Sequence, residues 1–393
     1  MKAVSLRAQW APRPGFVLGA KDREGKLTYL GSQVWKNPVL ELIDKPKPKP
    51  ADTDVLIEIK ACGICGSDVH MAQPDDDGYI FYPGLTAFPA VLGHEFSGIV
   101  VDSGKSAVNK RTNARYEPGE PVTAEEMLWC GTCRPCVDGY PNHCERLEEL
   151  GFSCDGAMAE YVKVDAKYCW SLKGLEANYS GQDLFKAGSL VEPSSVAYNA
   201  VIERAGGIRP GDNAVIVGGG PIGQAAAAIL RRAGAAHVIL SEPSEARLEL
   251  AGKMGATDLI NPAKEDFVEQ VLDITHGEGA KLYVEASGLF ERVWNGIEQS
   301  IWRGRTLNAT VVLVARAPQK APMTPEVFEV RRASIVGSQG HSGHGTFPRV
   351  IAAMGSGMDM TPLITKTISL DEAPDNIVLL RTDRKECKIT ILR

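Results

Sequence analysis

No stretch of this 393-residue sequence approaches the roughly 20 consecutive apolar residues that a membrane-spanning helix needs. Basic surplus is also missing: a net charge of −6 leaves no footprint for a nucleic-acid backbone. The opening residues, Met1-Lys2-Ala3-Val4-Ser5-Leu6-Arg7, have no apolar core of the kind a secretion signal carries, and they read as a first strand. There is no internal repeat and no low-complexity tract. A disulfide framework is not indicated either. The nine cysteines are odd in number and four sit close together, which suits metal sites in a reducing compartment such as the cytoplasm. What remains is a 44% hydrophobic, mixed-charge globular chain, long enough for two or three domains.

The densest chemistry lies in Cys62-Gly63-Ile64-Cys65-Gly66-Ser67-Asp68-Val69-His70. It follows a run, 54–60, that alternates apolar and polar residues as a strand does. Two glycines then turn the backbone and crowd a thiol, a hydroxyl, a carboxylate and an imidazole onto one loop. Gly93-His94-Glu95 repeats the theme on a second tight turn. One thiolate, one imidazole and one or two carboxylates are ligands that zinc accepts, so the two loops read as halves of one metal site. Cys65 is the better placed thiol, with Cys62 its neighbour. His-Glu alone is usually a structural pair; the Cys65 loop gives it weight.

Cys130, Cys133 and Cys136 are spaced two residues apart, and Cys144 follows after a short helical turn. Four thiolates at this spacing close a tetrahedron around a structural zinc, or hold an iron–sulfur cluster. Other segments read more plainly. Alternating prolines at 46, 48 and 50 specify an extended connector, and Asp75-Asp76-Asp77-Gly78 is an acidic surface turn or a second cation site. Residues 105–116 form a basic, exposed excursion. Leu190-Val191-Glu192-Pro193 opens a helix, with Glu192 either a cap-region carboxylate or a further ligand.

A second domain begins with the apolar strand 214–217 and the loop Gly218-Gly219-Gly220-Pro221-Ile222-Gly223, followed by an alanine-rich helix. Gly218, Gly220 and Gly223 make the Gly-x-Gly-x-x-Gly spacing. Gly220 lets the backbone approach a pyrophosphate at the helix N-terminus. The next strand ends at Glu242, an acid about 20 residues on that would accept from ribose hydroxyls and repel a 2′-phosphate. NAD is therefore favoured over NADP, while Arg247 nearby keeps NADP open. Strands and helices then alternate, through 282–285, 311–314 and 335–338, as in a doubly wound parallel sheet.

With these motifs in this order, the sequence resembles the zinc-dependent medium-chain alcohol and polyol dehydrogenases over nearly its whole length. The resemblance implies an α/β protein: a GroES-like, β-rich catalytic domain (1–194 and 346–393, with a structural-zinc lobe at 125–145) and a Rossmann NAD-binding domain (195–345). It implies that Cys65, His94, Glu95 and Glu192 surround a catalytic zinc, that Ser67 and His70 relay a proton, and that Cys130, Cys133, Cys136 and Cys144 hold a structural zinc. It further implies cofactor contacts at Ile222, Glu242, Arg247, Val314, Ala315, Arg316, Ser338, Gln339 and Gly340. Glutamate at 192 resembles the sorbitol branch of the family. Segments 78–85, 125–129 and 337–345 resemble the branch acting on inososes, in inositol breakdown. The expected substrate is thus a small polyol or cyclic ketone, the expected assembly a homodimer or homotetramer. Another polyol, sugar or L-threonine dehydrogenase is the nearest alternative. A nucleotide-binding structural or regulatory protein without catalysis would have no use for an open metal site. Segments 11–37 and 105–117 depart from the common family pattern; His341 and His344 are candidate pocket residues.

Overall fold

The computed structural model describes all residues except 21, 23–27, 317–319, 342, 344, 383 and 384, so His344 lies outside the described residues. The chain folds as two units: Met1–Glu192 with Phe347–Gly355 and Ile364–Arg393, and Pro193–Thr346 with Ser356–Leu363. Among the described residues no helix is long and apolar enough to cross a membrane.

The first unit is built on the strand Asp54–Gly63. One neighbour, Glu95–Ser103, pairs antiparallel along it; Tyr161–Asp165 pairs at residues 54–58, and Lys388–Leu392 at residues 61–63. These belong to a seven-stranded sheet that also holds Pro121–Ala124, Cys169–Ser171 and Ile364–Ile368. Val55, Ile57 and Ile59 lie in the main core with Phe96, Val100, Val162 and Ile391. A three-stranded sheet, Trp35–Asp44, Lys2–Trp10 and Ala90–Val91, stands beside it. Trp35 packs edge-on against both Trp10 and Phe88, each at 5.2 Å.

Two irregular segments are more tightly tied than their composition suggests. Residues 105–116, expected as an exposed excursion, end on Tyr116, which is fully buried and donates its hydroxyl proton to the Cys169 carbonyl at 2.8 Å. The acidic turn at 75–77 is a partner for Arg13. The guanidinium pairs with Asp75 and, at 3.2 Å, with Asp77, and it lies 4.0 Å over the Tyr79 ring. A cation internal to the chain thus pairs with two of the turn's three carboxylates.

The second unit carries a six-stranded, all-parallel sheet in the order Asp258–Ile260, Val238–Ser241, Ala214–Val217, Leu282–Glu285, Thr310–Leu313, Ser334–Gly337. The order reverses direction at Ala214–Val217, and ligands of such sheets sit at that switch point, beyond the carboxyl ends of the strands. The central strands are buried throughout and apolar except for Ser241 and Glu285 at their carboxyl ends, as in a parallel sheet covered on both faces. Phe290–Arg303 shows why: Trp294, Ile297 and Ile301 recur at helical spacing, and all are buried.

Candidate active site

Strand pairing brings the two metal loops together. Gly63 lies opposite Glu95 in the antiparallel ladder, which sets Cys65 and His94 side by side just beyond it. Gly63 cannot carry a side chain here: a Cβ would sit 2.3 Å from a Glu95 carboxylate oxygen. Gly93 adopts φ +93°, and a Cβ on it would meet the Met158 backbone nitrogen at 2.7 Å. Each glycine therefore serves the position of an acid or imidazole next to it.

Cys65, His94 and Glu95 each place one ligand atom within 4.8 Å of the others. Cys65 caps the helix Gly66–Ala72, and its backbone N–H donates to Asp68 Oδ2 at 2.8 Å. Asp68 is fully buried, and its Oδ1 lies 3.9 Å from His94 Nδ1. On the other side of the ring, Ser67 Oγ is 3.5 Å from His94 Nε2. The imidazole rests on Phe152 at 4.6 Å, and Phe152 on Tyr82 at 5.2 Å. His70, one helical turn beyond Ser67, is exposed.

Glu95 is held from below. Lys388 Nζ donates to its two carboxylate oxygens at 2.7 and 2.6 Å and to the Ile64 carbonyl at 3.1 Å. Burial pushes the Cys65 thiol up to about 12, with the Glu95 charge adding to it. Burial alone would lower the His94 pKa, but Asp68 foremost, then Glu192 and Glu95, raise it above the ordinary value. Burial, then Glu95 and Cys65, pushes Glu192 well above the carboxylate range. One imidazole and one ammonium thus face the carboxylates of Asp68, Glu95, Glu126 and Glu192. A thiol and imidazole amid this surplus of negative charge form a donor set suited to zinc.

The four clustered cysteines converge as well, with sulfurs within 4.8 Å of one another. Their loop folds over a small core of Leu85, Met127 and Leu147. Backbone N–H groups of Thr132 and Cys133 donate to Cys130 Sγ at 3.4 and 3.3 Å, and those of Cys130 and Arg146 to Cys144 Sγ, both at 3.3 Å. The Arg146 guanidinium adds a contact of 3.2 Å to Cys130 Sγ. Donors aimed at sulfur favour thiolate; the Thr132 N–H is the main reason the Cys130 pKa falls to about 5. Four sulfurs leave no place for a substrate, which is the chemistry of a structural centre.

In the second unit the glycine loop is close-packed where it must be and open where a ligand would lie. A Cβ on Gly218 (φ +106°) would meet Ser287 N at 2.7 Å, and one on Gly223 would strike the Gly218 carbonyl at 1.9 Å. Above Gly220, which caps the helix Pro221–Arg232, a Cβ would meet nothing within 4 Å. A diphosphate fits that cradle and the helix N-terminus. Glu242 accepts from Gly219 N–H at 2.8 Å and from Ser244 N–H at 3.0 Å, which fixes its carboxylate beside the loop. Pro221 and Ile222 begin the helix half-exposed; Arg247 is half-buried, its carbonyl taking the Gln224 side-chain amide at 2.8 Å. Val314, Ala315 and Arg316 follow their strand, and the first two donate N–H to Glu285 O at 3.1 and 3.3 Å. Asn199, on a short π-helical segment, donates to Gly340 O at 2.9 Å and to Ser338 Oγ at 3.4 Å, and so pins residues 338–340, with Gln339 exposed between them. His341 is buried in this unit, its carbonyl accepting from Thr346 Oγ1.

Sequence reasoning missed three residues of the first site. Lys388 left a signal, a lysine inside the apolar alternation 388–392; Asp68 stood in the quoted motif without a role. Glu126, whose charge faces His94 and Glu192, left none that local pattern could show.

Residues 51–174 match the alcohol dehydrogenase GroES-like domain, and residues 221–356 match the family described as zinc-binding dehydrogenase. The chain is 65% identical over 393 residues, the whole of both chains, to scyllo-inosose 3-dehydrogenase of Thermotoga maritima. It is 33% identical over 348 residues to L-threonine 3-dehydrogenase of Bacillus velezensis, covering 88% of this chain and 93% of that one. The solved structure of a candidate alcohol dehydrogenase from Thermotoga maritima superposes with a TM-score of 0.97 at 64% identity, covering all of both chains.

Proposed function

The chain belongs to the zinc-dependent medium-chain alcohol and polyol dehydrogenase family, and on that premise we propose that it oxidises a secondary hydroxyl of a cyclic polyol, scyllo-inosose first among them, to a ketone with reduction of NAD. The observation that carries the reading is the convergence of Cys65, His94 and Glu95 within 4.8 Å, with the Glu192 charge facing them.

Zinc, held by Cys65, His94, Glu95 and Glu192 when bound, supplies the Lewis acidity that lowers the pKa of the substrate hydroxyl. The glycine loop Gly218–Gly223 and Glu242 would hold NAD, which would supply the hydride acceptor. The chain's own residues do the rest. Ser67 Oγ takes the hydroxyl proton as it gives up its own, and His70, exposed one helical turn away, passes it to solvent. Asp68 orients the His94 ring, and Lys388 aims the Glu95 carboxylate. The walls formed by Phe152 and Tyr82 exclude water. Glu242 favours the unphosphorylated ribose of NAD. We further propose a cytoplasmic homodimer or homotetramer; nine free cysteines suit a reducing compartment.

The test is turnover of scyllo-inosose with NAD and with NADP, beside a panel that includes L-threonine, since a 33% identical relative bears that name. The zinc-site assignment is checked by Cys65→Ala. Polyol oxidation that survives this change with the zinc content intact would show the site to be misplaced.

A further inference from the structure

The strand Ser334–Gly337 stands at the edge of the parallel sheet, with Thr310–Leu313 on its inner side. The turn 338–340 that follows is tied to the sheet through the Ser338 N–H, which donates to the Leu313 carbonyl at 2.9 Å. On its other side the turn is held by side chains of the π-helical segment Asn199–Arg204. Asn199 Nδ2 donates to the Gly340 carbonyl at 2.9 Å and to Ser338 Oγ at 3.4 Å. Arg204 Nε donates to the Gly337 carbonyl at 2.9 Å. Asn199 is only 2% exposed, whereas Arg204 reaches in from the surface. The wide turn is what lets both reach the same strand. The Ala205 N–H bonds back five residues to the Ala200 carbonyl at 3.0 Å, so residues five apart stack on one face. In an α-helix they would point about 140° apart. Single π turns of this kind recur at functional sites.

The sheet order says which part of a dinucleotide meets this turn. The order reverses at Ala214–Val217, and a dinucleotide lies across that point. Glu242, following Val238–Ser241 on one side, is the acceptor for the adenosine ribose. The nicotinamide half then falls on the other side, over the ends of Leu282–Glu285, Thr310–Leu313 and Ser334–Gly337. We propose that Asn199 is a positioning residue for the nicotinamide half of NAD: by holding the Gly340 carbonyl and the Ser338 hydroxyl, it fixes the turn against which that half is set. This rests on the NAD reading of the glycine loop. Without the buried amide the Gly340 carbonyl loses its side-chain donor, and the turn loosens toward solvent, where Gln339 is already exposed. The cost falls on one half of the cofactor. The adenosine half is served by Glu242 and the cradle above Gly220, which Asn199 does not touch.

The experiment uses zinc-loaded protein and compares the wild type with Asn199→Asp, which keeps the shape of the side chain and loses its N–H donors. Equilibrium binding of NAD is measured beside that of ADP, which lacks the nicotinamide half. N199D is expected to raise the Kd for NAD at least about tenfold, the worth of one buried hydrogen bond, and to leave the Kd for ADP within about twofold. Zinc content is expected to stay as in the wild type. Should N199D fail to fold, Asn199→Ala, which removes the donor without adding a charge, decides by the same ratio of the two affinities. An unchanged ratio, whether both affinities hold or both fall together, overturns the role of Asn199 and leaves the NAD reading standing. A wild-type protein that binds neither nucleotide overturns both.

Discussion

The ammonium of Lys388 lies 2.6 and 2.7 Å from the two carboxylate oxygens of Glu95, and each side chain is only 2% exposed. Two residues 293 positions apart thereby form one neutral, buried unit under the candidate zinc site. Separated from its partner, either charge would be stranded in an apolar setting.

Lys388→Met is therefore expected to destabilise the protein by about 3–5 kcal/mol, because the buried Glu95 carboxylate loses its only cation at hydrogen-bond distance among the described residues. Urea unfolding measures this. The double variant K388M/E95Q should recover much of the loss, since the stranded charge goes with it. A single variant within about 1 kcal/mol of wild type would show that the pair is not a stability element.

Cys133→Ser is expected to remove one zinc of two per chain and to open the loop 130–144 to protease while the second unit stays intact. Binding at such sites is on the order of 10 kcal/mol in small peptides, more than the core of Leu85, Met127 and Leu147 can replace. Metal analysis and mapping of the first cleavage site check it. Retention of both zincs would remove the structural-centre assignment.

Arg13 and Asp75 give a pH dependence. Burial alone would raise the Asp75 pKa, but the Arg13 hydrogen bond and the N–H groups of Tyr79 and Asp77 outweigh it and hold the carboxyl below its ordinary value. A depressed carboxylate contributes stability above its unfolded pKa of about 3.9, and that contribution fades as pH falls through the folded value. Arg13→Ala should thus cost about 1 kcal/mol near pH 6 and less near pH 2, the Ser32 carbonyl and Tyr79 ring contacts of Arg13 remaining at both. Thermal melts at both values decide it; an equal cost at both would refute the linkage.

Much of the site could be read from the sequence because its parts are local. Cys65 to His70 lie within one turn and one helix, and Gly218 to Gly223 within one loop, so spacing alone groups them. Across strands the sequence is silent. Nothing near position 95 announces position 388; their meeting follows from the pairing of Gly63 with Thr390 on one edge and Glu95 on the other. The same limit hid Glu126. Lys105, Ser106 and residues 110–115 are exposed, as their composition suggests, but nothing local shows that Tyr116 is buried against a carbonyl 53 residues away. The acidic run at 75–77 read as a surface turn or a place for a cation, and nothing near it announced Arg13, from a segment more than 60 residues upstream.

The pairing of Gly63 with Thr390 also bears on the order of assembly. Closing a loop of more than 300 residues as flexible chain is entropically slow. The parallel sheet of the second unit is encoded almost wholly inside that loop. If it condenses first, the ends left to be joined are those of a compact body and not of a coil. The β-rich unit then becomes the late-forming one, and its half-built state, with the 61–63 edge of the strand Asp54–Gly63 still bare, is where slow refolding and self-association should concentrate.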